Sequence, residues 1–283
     1  MRLFAAAMAA LIAASVAAPL SAAPAAGVRV PGTVDKLWRL DCGRNRVSKL
    51  NLFSDTQSYP GQSRDLVASC YLIKDGDAYM LWDAGYPASL KGAAFDPGKP
   101  ISATLDRTIV EQLAQIGVKP EQIGLIGISH HHGDHIGQAA DFPKAKLVIG
   151  AGDLAIIRKS EAAARALAPW MGEGAKVEAI EGDKDLFGDG SVVMVDLRGH
   201  TPGHHGLLVR LPKTGAVLLS GDVAHFRENL ETDGVPTFNA DRADSLAAMD
   251  RFRKLAKSTR AIAIIQHEPR DVAKLPAFPE GAE

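Results

Sequence analysis

The stretch Ser129-His130-His131-His132-Gly133-Asp134-His135 puts imidazoles and a carboxylate at alternate and adjacent positions directly after an apolar run. Neutral imidazole is the commonest side-chain metal ligand. His130 and His132 are two apart, so on extended backbone their side chains leave on the same side and can grip one ion. Asp134 and His135 follow where the chain must turn, Gly133 permits the bend, and the pair can reach a second ion nearby. His131 leaves the opposite side of an extended loop, which suits packing or support of a ligand.

Three other segments place His or Asp just beyond an apolar run: Gly199-His200-Thr201-Pro202-Gly203-His204, Ser220-Gly221-Asp222 and Gln266-His267-Glu268. Strand ends gathered at one sheet edge are rigid places to hold ligands. Asp83, at the end of another apolar run, is a candidate carboxylate behind them. No Gly-x-Ser-x-Gly elbow points to a serine hydrolase. Ser220 reads as loop geometry.

Elements able to position these residues follow from periodicity. Residues 34–40, 67–74, 78–83, 123–129, 147–150, 177–180, 192–197, 207–211, 216–220 and 262–265 read as strands. Residues 106–117, 153–167 and 245–257 read as helices, the first ending on Gly117. Residues 51–64 form a polar loop long enough to belong to a pocket. Hairpins mixed with peripheral helices predict an α/β (α+β) chain folded as an αββα sandwich of two mixed sheets with outer helices. Trp38, Trp82 and Trp170 are candidates for core or pocket wall, and Phe226 and Phe238 for an apolar substrate side.

The chain has 283 residues, 46% hydrophobic and 23% charged, which suits a folded enzyme. A formal net charge of -1 offers no broad attraction for nucleic acid or anionic membrane. Lys254, Lys257 and Arg260 form a modest basic run that reads as a solvated face. Met1 and Arg2, an Ala-rich apolar run and then small residues form the pattern of a secretory signal peptide over residues 1–26. The run is too short for a stable span. Removal of that segment leaves 27–283 as a single hydrolase domain, periplasmic or secreted. In an oxidising compartment Cys42 and Cys70 are either bridged or two separate buried thiols, and geometry decides between these.

The ordered motifs, from Leu81-Trp82-Asp83-Ala84-Gly85 through His-x-His-x-Asp-His, Gly-His-Thr-Pro-Gly, Ser-Gly-Asp and Gln-His-Glu, resemble the metallo-β-lactamase superfamily, and within it the N-acyl-homoserine lactone lactonases. The resemblance implies that His130, His132 and His200 hold one divalent ion, Asp134, His135 and His267 the other, and Asp222 bridges them. It favours His200 over His204, which then orients a ligand or its loop. It implies two ions, zinc by default and iron, cobalt or manganese as substitutes, with a bridging hydroxide attacking a lactone carbonyl. Three residues after the bridging Asp, where many lactonases carry Tyr, this chain has His225, which can donate the same hydrogen bond or protonate the leaving oxygen. Asp134, Asp222 and His225 are thus the residues expected at the reacting atoms. Gly133 stands where lactonases often have an aromatic residue, which implies a wider pocket mouth.

The expected activity is opening of a lactone, foremost an N-acyl homoserine lactone (quorum quenching), by an exported dinuclear hydrolase whose partners are small lactones or esters. Homodimers are common among the enzymes it resembles. An exported metallo-β-lactamase of the His-rich type and an organophosphate triesterase are the enzymatic alternatives. A metal-binding or sensor protein is the non-enzymatic one.

Overall fold

The computed structural model describes residues 30–283; the expected signal peptide lies outside them. In chain order the elements are β1 (Lys36–Val47), β2 (Arg64–Asp75), β3 (Ala78–Trp82), β4 (Ile101–Thr104), α1 (Ile109–Gln115), β5 (Ile123–Ile128) and α2 (Gly133–Ile136). Next come β6 (Lys146–Gly150), α3 (Ala151–Ile157), α4 (Glu161–Ala166), β7 (Val177–Ile180), β8 (Lys184–Asp185) and β9 (Val192–Asp196). The chain closes with β10 (His205–Leu211), β11 (Gly215–Leu219), α5 (Arg227–Thr232), α6 (Arg242–Thr259), β12 (Ile262–Ile264) and α7 (Pro269–Val272).

These strands form two mixed sheets, ordered β4-β1-β2-β3-β5-β6-β7 and β12-β11-β10-β9-β8. β1 to β4 pair antiparallel, whereas β3, β5, β6 and β7 run parallel. Successive strand residues face opposite sides, which divides the apolar positions into layers. Tyr71, Ile73, Met80 and Trp82 face Met194, Leu207, Val217 and Ile264 between the sheets. Leu72, Leu81, Ile126 and Ile149 pack outward against Ile109 and Leu113 of α1 and Leu154 and Ile157 of α3. On the far side Val195, Leu208 and Leu218 meet Ala248, Met249 and Phe252 of α6. The expected αββα sandwich is therefore the observed one. Each fully buried side chain of this kind contributes about 2 kcal/mol of transfer free energy.

Local differences from the expected elements have identifiable causes. The single helix expected over 153–167 is two, because the Ser160 side chain accepts the Ala163 N–H and starts a new helix. β1 does not stop at residue 40; it continues to Val47 through a register shift between Asp41 and Arg44. Such a bulge breaks the alternation on which a sequence reading depends. The loop over 51–64 folds back to bury Phe53 and Tyr59. Cys42, inside the bulge, is bonded to Cys70 of β2, with their Cα atoms 5.9 Å apart. No helix among the described residues is long and apolar enough to cross a membrane.

Candidate metal centre

The ligand-type side chains leave the strand ends, or the first turn that follows one, at one edge of the sandwich. β5 delivers Ser129 to His132, and His132 is the N-cap of α2, whose first turn carries Asp134 and His135. β9 leads into the turn bearing His200, β11 into Asp222 and β12 into His267. The result is two adjoining clusters, His130, His132, His200 and Asp222, and Asp134, His135 and His267.

Within the first cluster Nδ1 of His132 lies 3.0 Å from Nε2 of both His130 and His200. In the second, Nε2 of His135 and His267 are 3.3 Å apart, and Asp134 Oδ2 is 3.7 Å from His267 Nε2. Asp222 lies between them. Its Oδ2 is 3.5 Å from His130 Nε2 and 3.4 Å from His200 Nε2; its Oδ1 is 3.2 Å from His135 Nε2 and 3.0 Å from His267 Nε2.

Four of the five rings have a second partner on the other nitrogen. His135 Nδ1 faces Asp83 Oδ2 at 2.9 Å and His267 Nδ1 faces the Val67 carbonyl at 2.6 Å. His130 Nδ1 faces Ser129 Oγ at 3.0 Å and His200 Nδ1 faces Asn239 Oδ1 at 2.8 Å. Asp83 adopts a left-handed backbone conformation, φ 58°, which Asp tolerates better than most residues. Its Oδ1 accepts the Ser129 N–H at 2.7 Å and its Oδ2 accepts from Gln266 Nε2 at 3.0 Å. Gln266 in turn receives Trp82 Nε1 and the Gly221 N–H on its Oε1. One buried amide thus joins two ligand-bearing strand ends to the one that carries Asp83.

Burial pushes His130 and His200 well below the ordinary imidazole value, and His132 below it as well. These rings are neutral and offer lone pairs. Burial acts the same way on His135 and His267, but the carboxylates of Asp222 and Asp134, joined by Asp83 at His135, outweigh it and hold both rings above that value. For Asp222, burial raises the carboxyl, and the rings of His267, His135, His130 and His225 overcome it and hold it well below the usual carboxylate range.

The donor set fits a pair of divalent cations. Asp222 Oδ1 is buried and accepts no hydrogen bond, an arrangement that is costly for a carboxylate oxygen unless positive charge faces it. Imidazole nitrogens and carboxylate oxygens are also the donors such ions take.

The remaining sequence candidates separate in position. His204 lies beside the cluster with both nitrogens used: Nδ1 on the Leu197 carbonyl at 2.8 Å and Nε2 on the Asp222 N–H at 2.8 Å. A Cβ on Gly221, φ 53°, would come 2.5 Å from His204 Nε2, so this turn needs glycine. His131 bonds Asp153, which also accepts from Thr201 Oγ1 at 2.7 Å, so it ties the His loop to the His200 turn. His225 stands with Nε2 3.1 Å from Asp222 Oδ2, its ring parallel to that of His267.

Trp38, Trp82 and Trp170 are buried, and Phe226 is fully buried against Phe53 and Tyr59 rather than facing the site. Phe238 does face it, 41% exposed, with Phe53 between it and the core. Lys254 pairs with Asp250 on the solvent side of α6. Sequence reasoning did not find Phe53, Asn239 or Tyr86, whose hydroxyl donates to Asp134 Oδ2 at 3.3 Å. None sits in a motif, and only Tyr86, three residues after Asp83, carried a positional hint.

A model of the Metallo-beta-lactamase superfamily matches residues 63–267. An N-acyl homoserine lactonase of Bacillus sp is 28% identical over 255 residues, covering 88% of this chain and 99% of the relative. The N-acyl homoserine lactonase AttM of Azorhizobium caulinodans is 28% identical over 179 residues, 58% of this chain and 65% of that protein. Among solved structures, an N-acyl homoserine lactone hydrolase with the product N-hexanoyl-L-homoserine at its catalytic metal centre is similar with a TM-score of 0.75 at 25% identity, covering 88% of this chain and 100% of that one.

Proposed function

This chain belongs to the metallo-beta-lactamase superfamily, and from that premise we propose that it is a metal-dependent hydrolase that opens the ring of N-acyl homoserine lactones. The observation that carries the reading is Asp222, one carboxylate shared between two imidazole clusters. His130, His132 and His200 would hold one ion and Asp134, His135 and His267 the other, with Asp222 contributing to both. Two divalent ions, zinc in first place, supply Lewis acidity and an acidified water when bound.

The protein's own groups account for substrate orientation and proton movement. Asp222 Oδ2, which faces His130, His200 and His225, takes the proton released as the nucleophile attacks the lactone carbonyl. His225 Nε2, 3.1 Å from that oxygen, passes a proton to the ring oxygen as the C–O bond breaks, giving the hydroxy acid. His225 Nδ1 has no hydrogen-bond partner, and the Asp222 carboxylate at Nε2 only accepts, so the proton sits on Nε2, the nitrogen beside the cluster. Its backbone N–H is held by Asn229 Oδ1 at 3.3 Å and its ring meets Phe53 edge-on. Phe238 and Phe53 form an apolar wall beside it for the acyl chain.

Residues 1–26 act as a signal peptide and the mature hydrolase domain, 27–283, works outside the cytoplasm. The Cys42–Cys70 bond supports this, because such bonds persist in oxidising compartments.

The test is a side-by-side assay of the zinc-loaded protein on an N-acyl homoserine lactone, a cephalosporin and an aryl phosphotriester. The lactone is expected to give the highest kcat/KM. A higher kcat/KM on the cephalosporin or the phosphotriester overturns the assignment.

A further inference from the structure

We infer that Asn239 is a positioning residue for His200, holding the imidazole in the one tautomer and ring orientation in which Nε2 can ligate an ion; the inference rests on the metal-centre reading above. Asn239 Oδ1 lies 2.8 Å from His200 Nδ1. A carbonyl oxygen only accepts, so Nδ1 carries the proton and Nε2 presents its lone pair. That lone pair faces the cluster, where Nε2 is 3.0 Å from His132 Nδ1 and 3.4 Å from Asp222 Oδ2.

The amide cannot turn over freely. Asn239 Nδ2 donates to Ser245 Oγ at 2.9 Å, and Ser245 Oγ has already committed its own proton to the Asp241 carbonyl. A flipped amide would set Nδ2 against the His200 N–H and Oδ1 against an oxygen with no proton left to give, losing two hydrogen bonds at once.

The backbone brings this pair together from segments far apart in the chain. The Ala240 N–H donates to the His200 carbonyl at 3.0 Å and the Asp241 N–H to the Gly199 carbonyl at 2.9 Å. Gly199, φ 135°, approaches so closely that a Cβ there would sit 2.3 Å from the Ser245 nitrogen. The first turn of α6 is thereby pressed onto the turn that carries His200. The other ring partners, Ser129, Val67 and Asp83, come from the strands of the first sheet or their ends, whereas Asn239 comes from the segment between α5 and α6. That segment is tied in turn to the early loop, through the Thr237 N–H to the Leu52 carbonyl and the Asp55 N–H to the Val235 carbonyl.

The experiment is cobalt titration of the metal-free full chain, followed by visible absorption and by chelator competition, for the wild type and for Asn239→Ala, Asn239→Asp and Ser245→Ala. Asn239→Ala is expected to weaken one of the two cobalt ions by roughly ten- to a hundred-fold and to change its spectrum, leaving the other as in the wild type. Asn239→Asp keeps an acceptor for Nδ1 but loses the donor to Ser245 Oγ, so it is expected to recover affinity and spectrum in part, above the Ala variant. A folded Asn239→Ala protein with wild-type affinity and spectrum at both ions overturns the inference, as does an Asp variant no better than the Ala variant. Should the Ala variant not fold, Ser245→Ala carries the test: weakening of one ion is expected, and wild-type affinity at both, or equal loss at both, overturns it. A wild-type chain that takes up no cobalt overturns the metal reading and this inference together. Failure to hydrolyse lactones, with cobalt binding altered as expected, counts against the proposed substrate alone.

Discussion

The backbone N–H of Asp222 donates to Nε2 of His204 at 2.8 Å, so this imidazole holds the shared carboxylate in place instead of facing an ion. With Nδ1 on the Leu197 carbonyl and burial pulling it down to about 4, His204 is a neutral strut. His204→Ala is therefore expected to retain more bound metal than His200→Ala, measured as ions per chain after dialysis. The reverse order would show that the two histidines had been assigned the wrong way round.

Asp222→Asn removes charge from the one side chain that both clusters share. The expected result is at least a ten- to hundred-fold loss of affinity for one ion and loss of most turnover. Two ions per chain with near-normal kcat would contradict the bridging role.

His225 touches Asp222 without belonging to either cluster. His225→Ala should lower kcat by roughly a hundred-fold or more while the metal content stays at the wild-type level. A rise in KM with kcat unchanged would instead mean that His225 only binds substrate.

The Cys42–Cys70 bond closes a loop with a sequence separation of 28, and the Tyr86 N–H donates to the Cys42 carbonyl at 3.1 Å. The turn holding Asp83 and Tyr86 thus leans on the bridged strand. Cys42→Ser with Cys70→Ser should cost about 3 kcal/mol of stability in denaturant unfolding. Equal unfolding midpoints for the double variant and the oxidised wild type would count against this.

Glu228, which joins Arg64 at the start of β2 to Arg270 in α7, should be one source of acid sensitivity. Burial raises this carboxyl, yet the hydrogen bonds from Arg64, the backbone and Arg270 hold it at about 2, against an ordinary value of 4.5. A depressed folded value means that the stabilisation is present above pH 4.5 and is lost as pH falls toward 2. Glu228→Gln should lower the melting temperature at pH 7 by the equivalent of about 1 kcal/mol after solvent screening, with the gap to wild type narrowing below pH 4. A gap that widens in acid would refute the assignment.

Much of the site was legible along the chain because its ligands occupy positions that local geometry constrains. Residues two apart on extended backbone share a side, as His130 and His132 do, and an apolar run before each of His200, Asp222 and His267 marked a strand end. The sandwich followed from alternation for the same reason, and alternation failed where a bulge interrupts β1 or where Ser160 restarts a helix. Tertiary structure alone decided what stands behind the ligands. Asn239 on His200, Asp153 joining His131 to Thr201, Gln266 linking three strand ends, and Phe53 rather than Phe226 near His225 all depend on contacts between segments far apart in the chain. Hydrogen bonds and ring contacts of that kind carry no periodicity, so only the packing of the two sheets and the loops over their edge brings the partners within reach.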